Sequence, residues 1–316
     1  MLVDIALLLL GLLLVGQGGQ LFVNASLDIA RCFRIPRIVI GSTLVSLATT
    51  VPEAIVSLTA SAMGDSELAI GNAVGSTIAN IGLIIATVAL IKRVTVEPDA
   101  FNSRARWMLA ATVLLIALSW SLAMSRGVGL ILLSVAVAYL VSDLVRIVHQ
   151  SRETNDRSAT NEGTTSAKMA GAFLLGAALV LMGSRLLVES GVAIASVLGV
   201  PSAVVGLSVI ALGTSLPELV TGVVAARKGV PDLALGNILG ANVLNLALIS
   251  GLAAIINPVT LGAFTRNYAF PWLLIFVVLI ITMLRKDGTL LFREGAILLG
   301  AYVLYLCGLV VIPLLG

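Results

Sequence analysis

The chain has 316 residues, of which 59% are hydrophobic and only 11% are charged. Because soluble domains average roughly 25% charged residues, this composition excludes a soluble globular protein and predicts an all-α polytopic membrane protein in a lipid bilayer. The net charge of +3 is small, and the basic residues lie in short loops, which argues against a nucleic-acid partner. Cys32 and Cys307 form no CxxC motif, so neither a disulfide framework nor a zinc site is predicted.

Ten apolar runs are long enough to cross a membrane, which takes about 20 residues. Their predicted bounds are 3–24, 35–62, 68–91, 105–124, 127–148, 169–190, 200–226, 232–256, 268–284 and 294–314. No basic segment precedes the first run, so we expect it to remain as a helix rather than act as a cleaved signal. The polar stretch 150–168 is predicted to be a flexible linker. It separates two five-helix halves, 1–149 and 169–316.

One segment occurs twice, at an offset of 165 residues and without a gap. Residues 41–80 read GSTLVSLATTVPEAIVSLTASAMGDSELAIGNAVGSTIAN, residues 206–245 read GLSVIALGTSLPELVTGVVAARKGVPDLALGNILGANVLN, and 13 of these 40 positions are identical. Each copy places a proline and a glutamate inside a long apolar run, as Pro52–Glu53 and Pro217–Glu218. A carboxylate inside a membrane span marks an ion pathway by default. A kink with a hydrogen-bonded glutamate is the simpler interpretation, and the duplication argues against it.

The basic residues predict an orientation. The loops after the odd-numbered helices hold 16 of the 19 Lys and Arg residues. The positive-inside rule then places the linker in the cytoplasm and both termini outside. Because each half has an odd number of helices, the second half enters the membrane from the opposite side. The sequence therefore predicts two inverted repeats, with a binding site at the midplane between them.

The predicted chemistry lies in helices two and seven, which the prolines make discontinuous. Proline has no N–H and frees the carbonyl four residues earlier, here those of Ala48 and Gly213. Hydroxyl groups surround each proline, at Ser46, Thr49, Thr50, Thr214 and Ser215. Together with the two glutamates they form a set of hard oxygen donors, which Na⁺ and Ca²⁺ prefer.

Helices three and eight carry the repeated GNxxG stretches, whose small residues allow helices to approach closely. About one turn further on, Asn80 and Asn245 can each offer an amide oxygen. We expect these amides to face the same midplane site.

The motifs GTSLPE (213–218) and ATTVPE (48–53), each followed by GNxxG, resemble the alpha-repeats of the sodium/calcium exchanger family, within the cation/Ca²⁺ antiporter superfamily. The resemblance covers essentially the whole chain and is greatest to the compact bacterial, YrbG-like members, which implies a location in the inner membrane of a bacterial cell. It implies a ten-helix antiporter with alternating access, whose substrates are Ca²⁺ and Na⁺ and which needs no cofactor. Carried over by motif, Glu53, Glu218, Thr49 and Thr214 would hold Ca²⁺. Ser46 and Ala211 would supply backbone carbonyls, and Ser76, Asn80 and Asn245 would complete the Na⁺ sites.

The sequence departs from the family pattern at several positions. Ala48 and Thr50 replace the usual Gly and Ser of the first motif. Ala241 stands where many members have Ser, which removes one hydroxyl ligand, and Asn245 stands where some have Asp. The two carboxylates are neutralised by one Ca²⁺ or by two Na⁺. The lost hydroxyl leaves the Na⁺ stoichiometry open.

The sequence leaves several alternative functions open. H⁺-coupled exchange could use the same two glutamates, because burial favours the neutral form of a carboxyl group. A passive channel could be lined by the same oxygens, and K⁺ or Mn²⁺ could be carried. An intramembrane enzyme is not expected, since no histidine lies at membrane depth and the helices lack paired aspartates. The oligomeric state is not predicted.

Three further pairs of opposite charge lie one helical turn apart. We expect surface ion pairs between Arg185 and Glu189, between Asp28 and Arg31, and between Asp143 and Arg146.

Overall fold

The computed structural model describes residues 2–121, 123–154, 166–197 and 211–315. The part of the chain that it describes is almost entirely helical. In order, its helices are α1 (Leu2–Cys32), α2 (Arg37–Thr49), α3 (Val51–Ala62), α4 (66–91), α5 (Pro98–Leu118), α6 (Arg126–Thr154), α7 (Ser166–Val197), α8 (Ala211–Thr214), α9 (Leu216–Arg227), α10 (Pro231–Ile256), α11 (265–287) and α12 (Phe292–Leu315).

Seven of the described helices are long and apolar enough to cross a membrane, and the bent pair α2–α3 makes an eighth span. The predicted run 105–124 corresponds to α5, which has 21 residues but begins with a polar turn. Part of the predicted run 200–226 lies outside the described residues. The structure therefore has the all-helical polytopic architecture expected from the composition.

Several helices extend beyond the predicted apolar runs, because polar residues can continue a helix past the hydrocarbon layer. Helix α1 continues to Cys32, and α5 begins at Pro98. Residues 150–154 and 166–168 of the predicted linker are helical. Arg104, which the count of basic residues assigned to a loop, lies inside α5 and is buried; that assignment is wrong, and the residue does not count toward the loop charge.

Two short antiparallel ribbons join the two halves of the chain. Strand β1 (Val94–Thr95) pairs with β4 (Thr289–Leu290), and β2 (Ala123–Met124) pairs with β3 (Val259–Thr260). Since α5 runs from β1 to β2, the ribbons lie at opposite ends of that helix. They were not predicted from the sequence, because two residues are too few to show an alternating pattern.

Glycines allow α1 and α7 to cross closely. A Cβ atom on Gly18 would lie 2.6 Å from the Cβ of Leu179, and one on Gly176 would lie 2.6 Å from the backbone nitrogen of Phe22. Gly11 and Gly183 face each other's helices in the same way. Small residues at a crossing bring helix backbones together within a membrane, where packing rather than the hydrophobic effect drives association.

The contact between α2 and α10 is closer still. A Cβ on Gly236 would lie 2.2 Å from the carbonyl oxygen of Ile38, and one on Gly240 would lie 2.4 Å from that of Ser42. Reciprocally, a Cβ on Gly41 would lie 2.3 Å from the carbonyl oxygen of Leu233. The glycines of the second GNxxG stretch therefore set the distance between the two helices.

Replacing Gly236 with Ala should destabilise the protein by about 1–3 kcal/mol, because the added methyl group meets a backbone carbonyl that cannot move alone. The measurement is chemical unfolding in detergent micelles. Gly300→Ala is the matched control, because a Cβ added at Gly300 in α12 would have no neighbouring atom within 4 Å. That variant should be neutral or slightly stabilised by the better helix propensity of Ala. Equal stability of the two variants would contradict the close α2–α10 contact.

Candidate functional site

Two breaks in the helices create the predicted site. Helix α2 ends at Thr49 and α3 begins at Val51, with a bend of 46° between them. The second copy has the same break, because Ser215 separates α8 from α9. Pro52 and Pro217 each lie in the first turn of the helix that follows the break. Proline suits this position because the first N–H groups of a helix have no intrahelical acceptor.

The breaks place both glutamates at the start of a helix. Glu53 lies in the first turn of α3 and Glu218 in the first turn of α9. Their exposed fractions are 0% and 1%. The positive end of the helix dipole favours a carboxylate there, although only by about 0.3–1 kcal/mol at exposed sites. That is far less than the cost of burying an ionised carboxylate, so further compensation is needed.

The two carboxylates lie near enough to repel each other. Glu53 Oε1 accepts a hydrogen bond of 3.3 Å from Ser215 Oγ. Within the described residues, Glu53 Oε2 and both carboxylate oxygens of Glu218 have no hydrogen-bond donor. Protein groups alone therefore leave most of this negative charge uncompensated.

Other predicted ligands share this property. In the described part of the chain, nine buried side-chain atoms have no hydrogen-bond partner. Eight of them belong to predicted site residues, namely Thr50 Oγ1, Glu53 Oε2, Ser76 Oγ, Asn80 Oδ1, both Glu218 oxygens, and Oδ1 and Nδ2 of Asn245. The ninth is Ser184 Oγ on α7. Unpaired buried polar atoms are rare in proteins, so their concentration here indicates a site built for a ligand.

The threonines bridge the two copies of the repeat. Thr49 Oγ1 donates to Asn237 Oδ1 at 3.2 Å, and Thr214 Oγ1 donates to Asn72 Oδ1 at 3.4 Å. The positions of these bonds correspond at the 165-residue offset. The two hydroxyls thus link each helix break to the GNxxG stretch of the other copy.

The two amide groups also hold the breaks in place. Asn72 Nδ2 donates to the Glu53 carbonyl oxygen at 3.3 Å and to Ser57 Oγ at 3.0 Å. Asn237 Nδ2 donates to Thr221 Oγ1 at 3.3 Å, and Thr221 in turn donates to the Glu218 carbonyl at 3.1 Å. From the sequence, the GNxxG stretches were interpreted only as packing motifs, and these asparagines were missed. Their identity in the two copies was the signal that could have indicated a shared role.

The remaining predicted ligands have varied surroundings. The Ser46 carbonyl accepts a hydrogen bond from the Thr50 backbone N–H at 2.9 Å, which leaves one lone pair for an ion. Asn80 Nδ2 donates to Asn242 Oδ1 at 3.0 Å, an interaction that was not anticipated from the sequence. Ala211 begins α8, and the residues just before it lie outside the described part of the chain.

A buried ion pair lies beside the start of α2. Arg104 Nη2 is 3.1 Å from Asp143 Oδ1, and both side chains are 1% exposed. Ser42 Oγ donates to Asp143 Oδ2 at 2.9 Å and lies 2.6 Å from Arg104 Nε. The predicted surface pair of Asp143 with Arg146 is therefore wrong. Helix packing brings Arg104 of α5 to the carboxylate, and a local spacing rule cannot anticipate such a contact.

The Ser42 carbonyl group connects the ion pair of Arg104 and Asp143 to the residues at the first helix break. The Ser42 carbonyl oxygen accepts hydrogen bonds of 2.8 Å from both Tyr139 Oη and Ser46 Oγ. Ser42 lies in a π-helical turn, 41–45, whose wider backbone ring displaces the helix locally. The ion pair thus anchors the turn from which the Ser46–Thr49 segment projects.

The other two predicted pairs are confirmed. Arg185 Nε lies 2.6 Å from Glu189 Oε1, and Arg31 Nη1 lies 3.5 Å from Asp28 Oδ1. All four side chains are more than half exposed. Such pairs contribute about 0–1 kcal/mol to stability.

Comparison with known proteins identifies relatives over nearly the full chain. A family model described as sodium/calcium exchanger protein matches residues 3–145 and 168–311. The inner membrane protein YrbG of Escherichia coli (strain K12) is 36% identical over 315 residues, covering 97% of this chain and 96% of that protein. The sodium/calcium exchanger MaX1 of Methanosarcina acetivorans is 29% identical, covering 96% of this chain and 97% of that protein. The solved structure of the sodium-calcium exchanger NCX_Mj superposes with a TM-score of 0.85 at 27% identity, covering 98% of this chain and 99% of that one.

The variant Asp143→Asn should lose about 3–5 kcal/mol of stability, because it leaves the buried Arg104 charge without a counter-ion. Glu189→Gln is the matched control, since it breaks an exposed Arg–carboxylate pair and should cost about 1 kcal/mol or less. Chemical unfolding of the two purified variants in the same detergent measures the difference. Equal losses would show that Asp143 does not compensate a buried charge.

Proposed function

The chain belongs to the sodium/calcium exchanger family, and we propose that it exchanges Ca²⁺ for Na⁺ across the membrane by alternating access. The family and the fold are those of a cation/Ca²⁺ antiporter, which is not an enzyme. In our proposal Glu53 and Glu218 bind the transported ions, together with neutral oxygens of the residues around the two helix breaks. The ions are substrates rather than cofactors.

One observation carries the assignment of the site. Buried oxygen atoms without donors are concentrated on Glu53, Glu218, Thr50, Ser76, Asn80 and Asn245. A buried oxygen without a protein donor is costly inside a membrane protein unless it contacts a cation or another compensating group. Carboxylate, amide and hydroxyl oxygens are the ligands that Ca²⁺ takes, and no nitrogen or sulfur ligand is required.

The charge of the site supports exchange. One Ca²⁺ compensates the two carboxylates, as do two Na⁺ ions, whereas three Na⁺ ions leave one positive charge. Neutral oxygens from Thr49, Thr214 and the freed carbonyls of residues 48 and 213 would complete the coordination without adding charge. Because both ions compete for the same carboxylates, binding of one excludes the other, as counter-transport requires.

We also propose ten spanning helices arranged as two inverted repeats, 1–149 and 169–316. Support comes from paired contacts that correspond at the sequence offset: Thr49 with Asn237 and Thr214 with Asn72. The two ribbons show the same correspondence. Strands β1 and β3 lie 165 residues apart in the sequence, and each pairs with a strand of the other half. Inverted repeats with broken helices at their interface are the architecture of many secondary transporters.

The proposed orientation places the linker in the cytoplasm and both termini outside. Without Arg104, which is buried in α5, the basic residues still favour the side on which the linker lies. The inner-membrane relative YrbG supports a cell-membrane location.

Proton coupling through the same two glutamates is the alternative. The mutual repulsion of the carboxylates favours it, because two neighbouring carboxyl groups readily share a proton. The hydroxyl groups at both breaks favour Na⁺, which they can coordinate. Transport assays that impose either a Na⁺ gradient or a pH gradient distinguish Na⁺ coupling from H⁺ coupling.

Glu53→Gln and Glu218→Gln should each reduce Ca²⁺ transport to background, because the site loses one of its two charges. The assay is uptake of radioactive calcium into proteoliposomes loaded with Na⁺ and diluted into Na⁺-free buffer. Glu189→Gln, which removes an exposed carboxylate, should transport normally. Unaltered uptake by a folded Glu53→Gln variant would refute the assignment of the site. Uptake that follows a pH gradient but not a Na⁺ gradient would support proton coupling instead.

Ala241→Ser should lower the internal Na⁺ concentration that gives half-maximal Ca²⁺ uptake. Ala241 is buried, lies one turn before Asn245 in α10, and corresponds in the repeat to Ser76, whose hydroxyl is unpaired. The added hydroxyl would supply the oxygen that the second copy lacks. Ala253→Ser controls for adding a hydroxyl elsewhere in the same helix. An unchanged Na⁺ dependence would mean that position 241 does not face a Na⁺ site.

A further inference from the structure

A cavity lined by arginines opens at the end of the bundle that carries the β1–β4 ribbon. Its volume is about 600 Å³, and it lies between α5, α6 and α11. Three arginines line it, one from each helix: Arg106, Arg146 and Arg285. Asp99 is the single carboxylate in its wall. The cavity is therefore electropositive and is separate from the site formed by the two glutamates.

The three guanidinium groups make no ion pair within the described part of the chain. Other arginines do so, namely Arg31, Arg37, Arg104 and Arg185. Three unpaired cations facing one cavity repel each other, so an anion bound among them would be stabilised. Guanidinium groups suit phosphate oxygens because they can donate two parallel hydrogen bonds.

The inner part of the cavity is apolar. Leu109 lies three residues after Arg106 in α5, and Ile281 lies four residues before Arg285 in α11. At these spacings each apolar side chain lies one turn from its arginine on the same helix face. In each helix the apolar residue lies closer to the centre of the bundle than the arginine does. The cavity thus has a cationic mouth and an apolar floor.

The neighbouring face of α11 suits a hydrocarbon chain. Ile275 and Val278 on this helix are about half exposed, and Val278 lies two turns before Arg285 on the same helix face. This face leads from the membrane interior to Arg285. A free anion would use only the arginines, whereas a lipid would use both the arginines and the apolar surface.

We propose that this cavity binds the headgroup of an anionic phospholipid, with the phosphodiester among the three arginines and an acyl chain along α11. Basic pockets between helices at the cytoplasmic side of membrane proteins bind such headgroups. A second cavity of about 210 Å³ shares Asp99 and Arg146 with the first and extends to Arg104. The lipid would therefore join α5, α6 and α11 beside the ion pair that anchors α2.

The test is native mass spectrometry of the protein in a mixture of phosphatidylglycerol and phosphatidylcholine. Wild-type protein should retain phosphatidylglycerol preferentially, and Arg106→Gln/Arg285→Gln should bind it about thirtyfold more weakly, since each interfacial cation contributes roughly a fivefold factor. Lys92→Gln/Arg93→Gln is the matched control, because it removes two exposed cations from the same end of the bundle without altering the cavity.

Two outcomes would overturn the proposal. Equal weakening in both double variants would mean that general surface charge, rather than the cavity, attracts the lipid. Displacement of phosphatidylglycerol by millimolar inorganic phosphate, with equal thermal stabilisation by phosphate alone, would mean that the cavity binds a free anion. Neither readout depends on transport, so failure here is distinguishable from failure of the proposed exchange activity.

Discussion

The structure depends on the placement of two carboxylates in the buried interior of the helix bundle. Glu53 and Glu218 are buried in the same region and repel each other, and most of their oxygens have no donor within the described residues. An isolated buried carboxylate costs far more than a typical protein's net stability of about 5–15 kcal/mol, unless it is paired or protonated. A cation is the compensation that the surrounding oxygens favour. In the proposed mechanism a cation binds between these carboxylates, and exchange follows when two different cations compete for the same charge.

The remainder of the bundle holds those carboxylates at helix starts. Breaks at Thr50 and Ser215 expose the helix ends, and asparagines from the two GNxxG stretches secure them across the repeats. The glycines of α10 permit the close approach to α2 on which the bond between Thr49 and Asn237 relies. The ion pair of Arg104 with Asp143 has no counterpart at the equivalent positions of the second half, which are Ala269 and Gly308. The two halves thus support similar breaks by different means.

Much of the site could be predicted from the sequence, because the repeat juxtaposes Pro-Glu, hydroxyl and asparagine residues at equal offsets. The helical class followed from composition, and the exposed Arg185–Glu189 pair followed from local spacing. The Arg104–Asp143 pair could not be predicted, since it joins residues 39 apart through helix packing. The hydrogen bonds of Asn72 and Asn237 to the helix breaks were not predicted, because the glycines beside these asparagines made GNxxG resemble a helix-packing motif. The two-residue strands are too short to show the alternation of apolar and polar residues that predicts a strand.

The central claim is that Ca²⁺ and Na⁺ compete for one site formed by the two glutamates. Equilibrium binding of Ca²⁺ to the purified protein, titrated at a series of Na⁺ concentrations at constant ionic strength, tests it most directly. We expect Na⁺ to raise the apparent Kd for Ca²⁺ without changing the number of Ca²⁺ ions bound at saturation. Ca²⁺ affinity that is independent of Na⁺, or a lower saturation with unchanged affinity, would contradict a shared site.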